Sequence, residues 1–210
     1  MNKNLLPIAK EGLNYVGISL VVTLLFIMID FDILAFISFV VFISFIYFFR
    51  NPERELHHFQ EGSLLSVSDG IVRNIEELSD SEYGYKIEIE GSCSSVALLR
   101  SPALVTVESI SIIKGCRVSK KSKLFSQLNE KATLLLKDAK ANNLTVEFTL
   151  KNSFSPIEIN LVKGQKLQQA HRFGVMVNGI TTLYLPANFR VNVSVGNEVK
   201  ASESLIGYFS

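Results

Sequence analysis

The chain has 210 residues, with 21 basic and 20 acidic side chains and a formal net charge of +1, so no global field draws it to nucleic acid. That balance still leaves room for a local basic patch to meet anionic lipid beside a membrane. Its two cysteines and three histidines show no metal-ligand spacing, and no metal site is expected.

Two apolar runs open the chain, Tyr15 to Ile29 and Ile33 to Phe49, parted by Asp30-Phe31-Asp32 and ended by Arg50-Asn51-Pro52-Glu53-Arg54. Each is slightly under the roughly 20 residues that cross a bilayer comfortably, and flanking aromatic and basic side chains can bridge the difference. The pattern predicts a transmembrane helical hairpin over residues 1–54 with its flanks. The acidic pair then lies at the far face, and Lys3, Lys10, Arg50 and Arg54 lie at the near one. Basic flanks favour the cytoplasm, so both ends and all that follows are expected on the cytoplasmic side of the cell (inner) membrane. The first run leads into a second rather than into a small-residue cleavage site, as in a retained anchor. A buried hairpin or a re-entrant loop would read similarly.

Residues 55–210 are long enough for one soluble domain. His57 and His58 read as a solvated interfacial pair, and Cys93 and Cys116 as ordinary residues kept reduced in a cytoplasmic domain. From Ser63 onward short alternating runs predict half-buried strands: Gly70-Ile71-Val72, Tyr85 to Glu90, Leu144 to Leu150, Leu183 to Pro186 and Arg190 to Val195. Glu76 to Gly84 reads as a mobile loop, and Lys137 to Asn143 and Gly196-Asn197 as turns. The fold class is therefore mainly β behind an N-terminal helix pair. The run Val191 to Phe209 is similar to the half-barrel hammerhead of lipoyl and biotinyl modules, without their modified lysine.

Several segments, taken in order, carry a resemblance to one family. Ile8 to Gly12 precedes the hairpin, Phe48 to Arg54 follows it, and Ser66-Val67-Ser68-Asp69-Gly70-Ile71-Val72 comes next. Ser101-Pro102, Leu128-Asn129-Glu130-Lys131, His171-Arg172-Phe173-Gly174 and Leu183-Tyr184-Leu185-Pro186 complete the set. Together they resemble the short, membrane-anchored phosphatidylserine decarboxylases over nearly the whole chain.

The resemblance implies a lyase that cuts its own chain before a serine, turns that serine into a pyruvoyl group and uses it as an electron sink. In the family an Asp, a His and the Ser perform self-cleavage. Mapped onto this chain, the Asp position is Asp69, which an Asp-Gly turn would also explain. The His position falls on Thr106, with Leu104 at the preceding aspartate position. The cleaved serine falls on Ile180, in Val177-Asn178-Gly179-Ile180-Thr181. A threonine is no base near neutral pH, and isoleucine has no hydroxyl to attack or eliminate. A one-residue slip does not restore Gly-Ser. The Gly62-Ser63 and Gly91-Ser92 pairs lie far upstream, and Thr181 or Thr182 would yield a ketobutyryl group instead of pyruvoyl.

The expectation is thus a family member in phospholipid metabolism that forms no pyruvoyl cofactor. It would bind phospholipid such as phosphatidylserine, with Arg50 and Arg54 facing the lipid, or act with a protein partner or an active paralogue. Two alternatives stand beside it. One is an active decarboxylase, making phosphatidylethanolamine with non-standard residues. The other is a membrane-anchored module that binds protein through strand edges.

Overall fold

The computed structural model describes residues 7–54, 59–60, 62–79, 82–138, 140 and 142–209; Lys3, His57 and His58 lie outside them. The chain divides between Glu53 and Arg54 into two compact units.

The first unit is a helix pair. A 3-10 turn at Lys10–Gly12 leads into α1 (Leu13–Met28), and α2 (Asp32–Phe48) follows after Asp30, whose φ of 55° turns the chain. Tyr15 near the start of α1 stacks on Phe49 beyond the end of α2, with ring centroids 5.3 Å apart, so the helices run antiparallel. Gly12 allows this closure: a Cβ there would fall 2.3 Å from Phe49 side-chain carbons. The Ala9 N–H donates to the Phe49 carbonyl at 2.8 Å, and the Asn51 N–H to that of Pro7 at 2.7 Å.

The pair is apolar outside and hydroxyl-bearing inside. Its buried helical residues are Ser19, Thr23 and Ser38, whose hydroxyls donate to the carbonyls of Val16, Ser19 and Ala35 at 2.8–2.9 Å. Ile18, Leu24, Leu25, Phe36, Ile37 and Phe39 face outward. The helical stretch Lys10–Met28 is long and apolar enough to cross a membrane, whereas Asp32–Phe48 is shorter.

The second unit is almost entirely β. In chain order it holds β1 (Ser63–Leu65), β2 (Gly70–Glu77), β3 (Tyr85–Glu90), β4 (Leu98–Arg100), β5 (Val105–Ile113), the single-turn α3 (Phe125–Leu128), β6 (Lys131–Asp138), β7 (Asn143–Leu150), β8 (Glu158–Ile159), β9 (Lys166–Leu167), β10 (Arg172–Val175), β11 (Gly179–Leu185), β12 (Phe189–Val191), β13 (Glu198–Val199) and β14 (Leu205–Phe209). Eight strands form one sheet in the order β13-β2-β3-β11-β7-β6-β5-β9, and two three-stranded sheets, β1-β14-β12 and β4-β10-β8, complete the unit. Every pairing between these strands is antiparallel.

Period-two alternation drives the packing. Ile87 and Ile89 of β3 and Leu144, Val146 and Phe148 of β7 are buried in the shared core. Lys86 and Glu88, between and beside them, point the other way and pair at 2.9 Å. Among the expected boundaries that move, two have local causes. β2 runs on to Glu77, so the loop expected from Glu76 begins two residues later, because β3 offers Lys86 and Tyr85 as partners for Glu76 and Glu77. The strand expected through Val195 stops at Val191, because the Ser194 N–H turns to the Asn197 side chain at 2.8 Å and Gly196 takes a φ of 94°.

Candidate functional site

Strand pairing brings the Asp69 segment and the start of β11 together. β2 begins just after Asp69 and pairs with β3, which in turn pairs with β11. At the junction the Gly91 N–H donates to the Gly179 carbonyl at 2.9 Å. The Asp69 carbonyl also lies so close to Gly91 that a Cβ there would meet it at 3.2 Å. The Ser68 hydroxyl donates to that of Thr181 at 2.7 Å, and the Ser66 hydroxyl donates to the Ser68 carbonyl at 2.7 Å. Both side chains of the Ser68–Thr181 pair are buried.

Asp69 itself is gripped on both carboxylate oxygens. Arg54 donates to Oδ1 at 2.7 Å and to Oδ2 at 2.6 Å, and the Ala201 N–H adds a third bond to Oδ1 at 2.9 Å. The same guanidinium donates to the Ala201 carbonyl at 2.6 Å and lies 3.7 Å from Glu203. Such fork-to-fork geometry is the strongest that an Arg and a carboxylate make. The Arg54 side chain is 5% exposed. It therefore turns inward to a carboxylate rather than outward to lipid, which corrects the expected lipid-facing position. Close by, burial pushes the Arg100 guanidinium down to about 10, aided by Arg172 and Arg54; it stays cationic at neutral pH.

The other mapped positions are set apart or chemically bare. Ile180 is buried in β11, opposite Glu90 on one side and Thr149 on the other. Its hydrocarbon side chain carries no hydroxyl, the group from which the pyruvoyl cofactor implied by the resemblance is formed. Thr106 sits on β5, between Lys137 of β6 and Lys166 of β9, with β7 and β6 separating its strand from β11. Arg50, in the helix unit, packs over the Tyr47 ring at 4.2 Å and donates to the Tyr47 carbonyl at 3.0 Å.

Among the described residues, no three His, Cys, Asp or Glu side chains converge as a metal site. Cys93 and Cys116 are free and exposed. Glu90, opposite Ile180, collects three cations: Lys151 bonds one oxygen, Arg73 lies 3.0 Å from the other and Lys120 lies 3.6 Å from it. Burial alone would raise this carboxyl, but the Lys151 hydrogen bond and the surrounding charges hold it below its usual range. Reading the sequence missed Ser68, Thr181, Glu90, Lys151 and the Ala201 turn as neighbours, since strand pairing over long separations makes these contacts.

The family model described as phosphatidylserine decarboxylase matches residues 41–207. The chain is 27% identical over 206 residues to a phosphatidylserine decarboxylase proenzyme of Desulfotalea psychrophila, an alignment covering 96% of each. It is 29% identical to the proenzyme of Geotalea uraniireducens over 98% of each, and 29% identical to that of Wolbachia pipientis over 95% of this chain and 90% of the relative. With one family model spanning most of its length, the chain belongs to the phosphatidylserine decarboxylase family, whose place is in phospholipid metabolism.

Proposed function

We propose that this chain is a membrane-anchored family member that binds phospholipid without forming the pyruvoyl group, acting as a headgroup sensor or as a regulatory subunit of phospholipid synthesis. One observation carries the reading. At the position that would become the cofactor stands Ile180, with no hydroxyl to cyclise or eliminate, while the Asp69 carboxylate is already filled by Arg54 and Ala201. Positioning cannot replace an electron sink that the residues do not form.

The anchor is supported by the inverted polarity of the helix pair. Hydroxyls lie in the seam and bond backbone carbonyls, while Ile, Leu and Phe face outward, as lipid requires of a spanning hairpin. Arg50 over Tyr47 suits the interface at one end, and the basic flank favours a cytoplasmic β unit. The turn at residues 192–197, lying between strands of different sheets, supports the hammerhead reading of the C-terminal segment.

A second reading is favoured by the Ser68–Thr181 hydroxyl pair beside Asp69 and by the word proenzyme in the relatives' names: a working decarboxylase with another keto group. Intact-mass analysis of the purified chain, followed by a carbonyl-reactive probe, decides between them. A single unreactive species of full precursor mass is expected. Two fragments divided near Gly179, the C-terminal one carrying a reactive carbonyl, would establish the second reading and remove the first.

A further inference from the structure

A basic cavity opens beside the start of β11. It measures about 330 Å³, and Lys120, Lys121, Lys151, Asn152 and Asn178 line it together with Glu90. Asn178 immediately precedes Gly179, and its carbonyl accepts the Lys151 N–H at 3.0 Å, so the cavity wall is continuous with the strand that carries Ile180 and Thr181. The Asn178 side chain in turn reaches the Asn152 carbonyl at 3.4 Å.

Charge in this corner is unbalanced. Lys120, Lys151 and Arg73 all draw on the one Glu90 carboxylate, and Lys121 stands beside them in the wall. A second anion would meet several cations at once, with asparagine amides as neutral donors. Lysine acts on a phosphate as a compact point charge with rotatable donors.

Two of these lysines, Lys120 and Lys121, are carried on an arm whose composition suits a membrane surface. Between β5 and α3 lie Lys114, Arg117, Lys120, Lys121 and Lys123. Ile112 and Ile113 at the end of β5, Leu124 just before α3 and Leu128 at its end are all more than 40% exposed. Exposed apolar side chains interleaved with lysines favour anionic lipid by burial and by charge together. The root of the arm is fixed. The Asn129 side chain bonds both the N–H and the carbonyl of Val118, at 3.1 and 2.8 Å, and the Arg117 carbonyl accepts the Asn152 N–H at 3.1 Å.

We infer that this cavity is a subsite for the phosphate of an anionic phospholipid headgroup, presented by the arm at residues 112–128. It rests on the phospholipid-binding reading above and gives that reading a location. The headgroup phosphate sits among Lys120, Lys121 and Lys151, which leaves the rest of the headgroup next to the start of β11.

The test uses the full chain in nonionic detergent, titrated calorimetrically with dihexanoyl phosphatidylserine, dihexanoyl phosphatidylcholine and inorganic phosphate. K120Q/K121Q removes two exposed cations without touching the core, and K120R/K121R keeps the charge; melting temperatures confirm that both fold. Phosphatidylserine should bind the glutamine pair at least about tenfold more weakly, and the arginine pair like the parent. Undiminished binding by the glutamine pair would overturn the subsite and leave the lipid reading standing. Absence of any phospholipid binding by the parent chain would overturn both. Inorganic phosphate binding as tightly as phosphatidylserine would make the cavity a free-phosphate site and end its assignment to lipid.

Discussion

Asp69, to which the resemblance assigns a part in self-cleavage, has the surroundings of a structural clasp. Its carboxylate joins the chain at residue 54 to the turn at residue 201, and the ion pair is shielded, with the side chains of Arg54 and Asp69 only 5% and 12% exposed. Removing one partner of such a pair strands a buried charge, at a cost of about 3–5 kcal/mol. Asp69→Ala should therefore lower the thermal midpoint of the detergent-solubilised chain by on the order of 10 °C, as expected for a unit of this size. A midpoint unmoved by the substitution would show a carboxylate free for chemistry rather than one that holds the unit together.

Between elements, Glu90 is the comparable joint. It lies at the end of β3 and gathers Arg73 from β2, Lys151 from beyond β7 and Lys120 from the basic arm. Because its folded value lies below the ordinary 4.5, its contribution is complete above that pH and is lost as pH falls through the folded value. In melting curves across pH, the parent should exceed Glu90→Gln at neutrality, and the gap should close below about 4.5. A constant gap would mean that Glu90 acts through packing rather than charge. The strands that meet here were readable in advance where apolar and polar residues alternate, as in Tyr85 to Glu90 and Leu144 to Leu150. Their neighbours were not: β11 pairs with both β3 and β7 across long stretches of chain, so Ser68 and Thr181, 113 residues apart, become hydrogen-bonded without any local signal. Arg54 was misread for the same reason. Its place after an apolar run suggests a membrane flank, while its carboxylate partner lies 15 residues on. The lysines of the arm stand close together in the sequence, but the cavity they line depends on Lys151, just after β7, and Asn178, just before β11.

At the scale of the molecule, the helix pair and the β unit solve opposite solvation problems. The β unit hides Ile87, Leu134, Val146 and Phe148 in one core and keeps its charges outside or paired. The helix pair does the reverse, turning most of the chain's exposed large apolar side chains outward between Leu13 and Tyr47, far beyond the isolated patches that a water-solvated surface carries. Hydroxyls in its seam bond their own helix carbonyls, so the inward face gives up little by lacking apolar packing. Water would penalise such an exterior at about 25 cal/mol per Å², whereas hydrocarbon would not. The full chain should therefore stay with the membrane pellet after an alkaline carbonate wash and enter solution only with detergent. Release by carbonate alone would mean that these apolar faces are covered by protein, and that the hairpin is an oligomer contact rather than a lipid anchor.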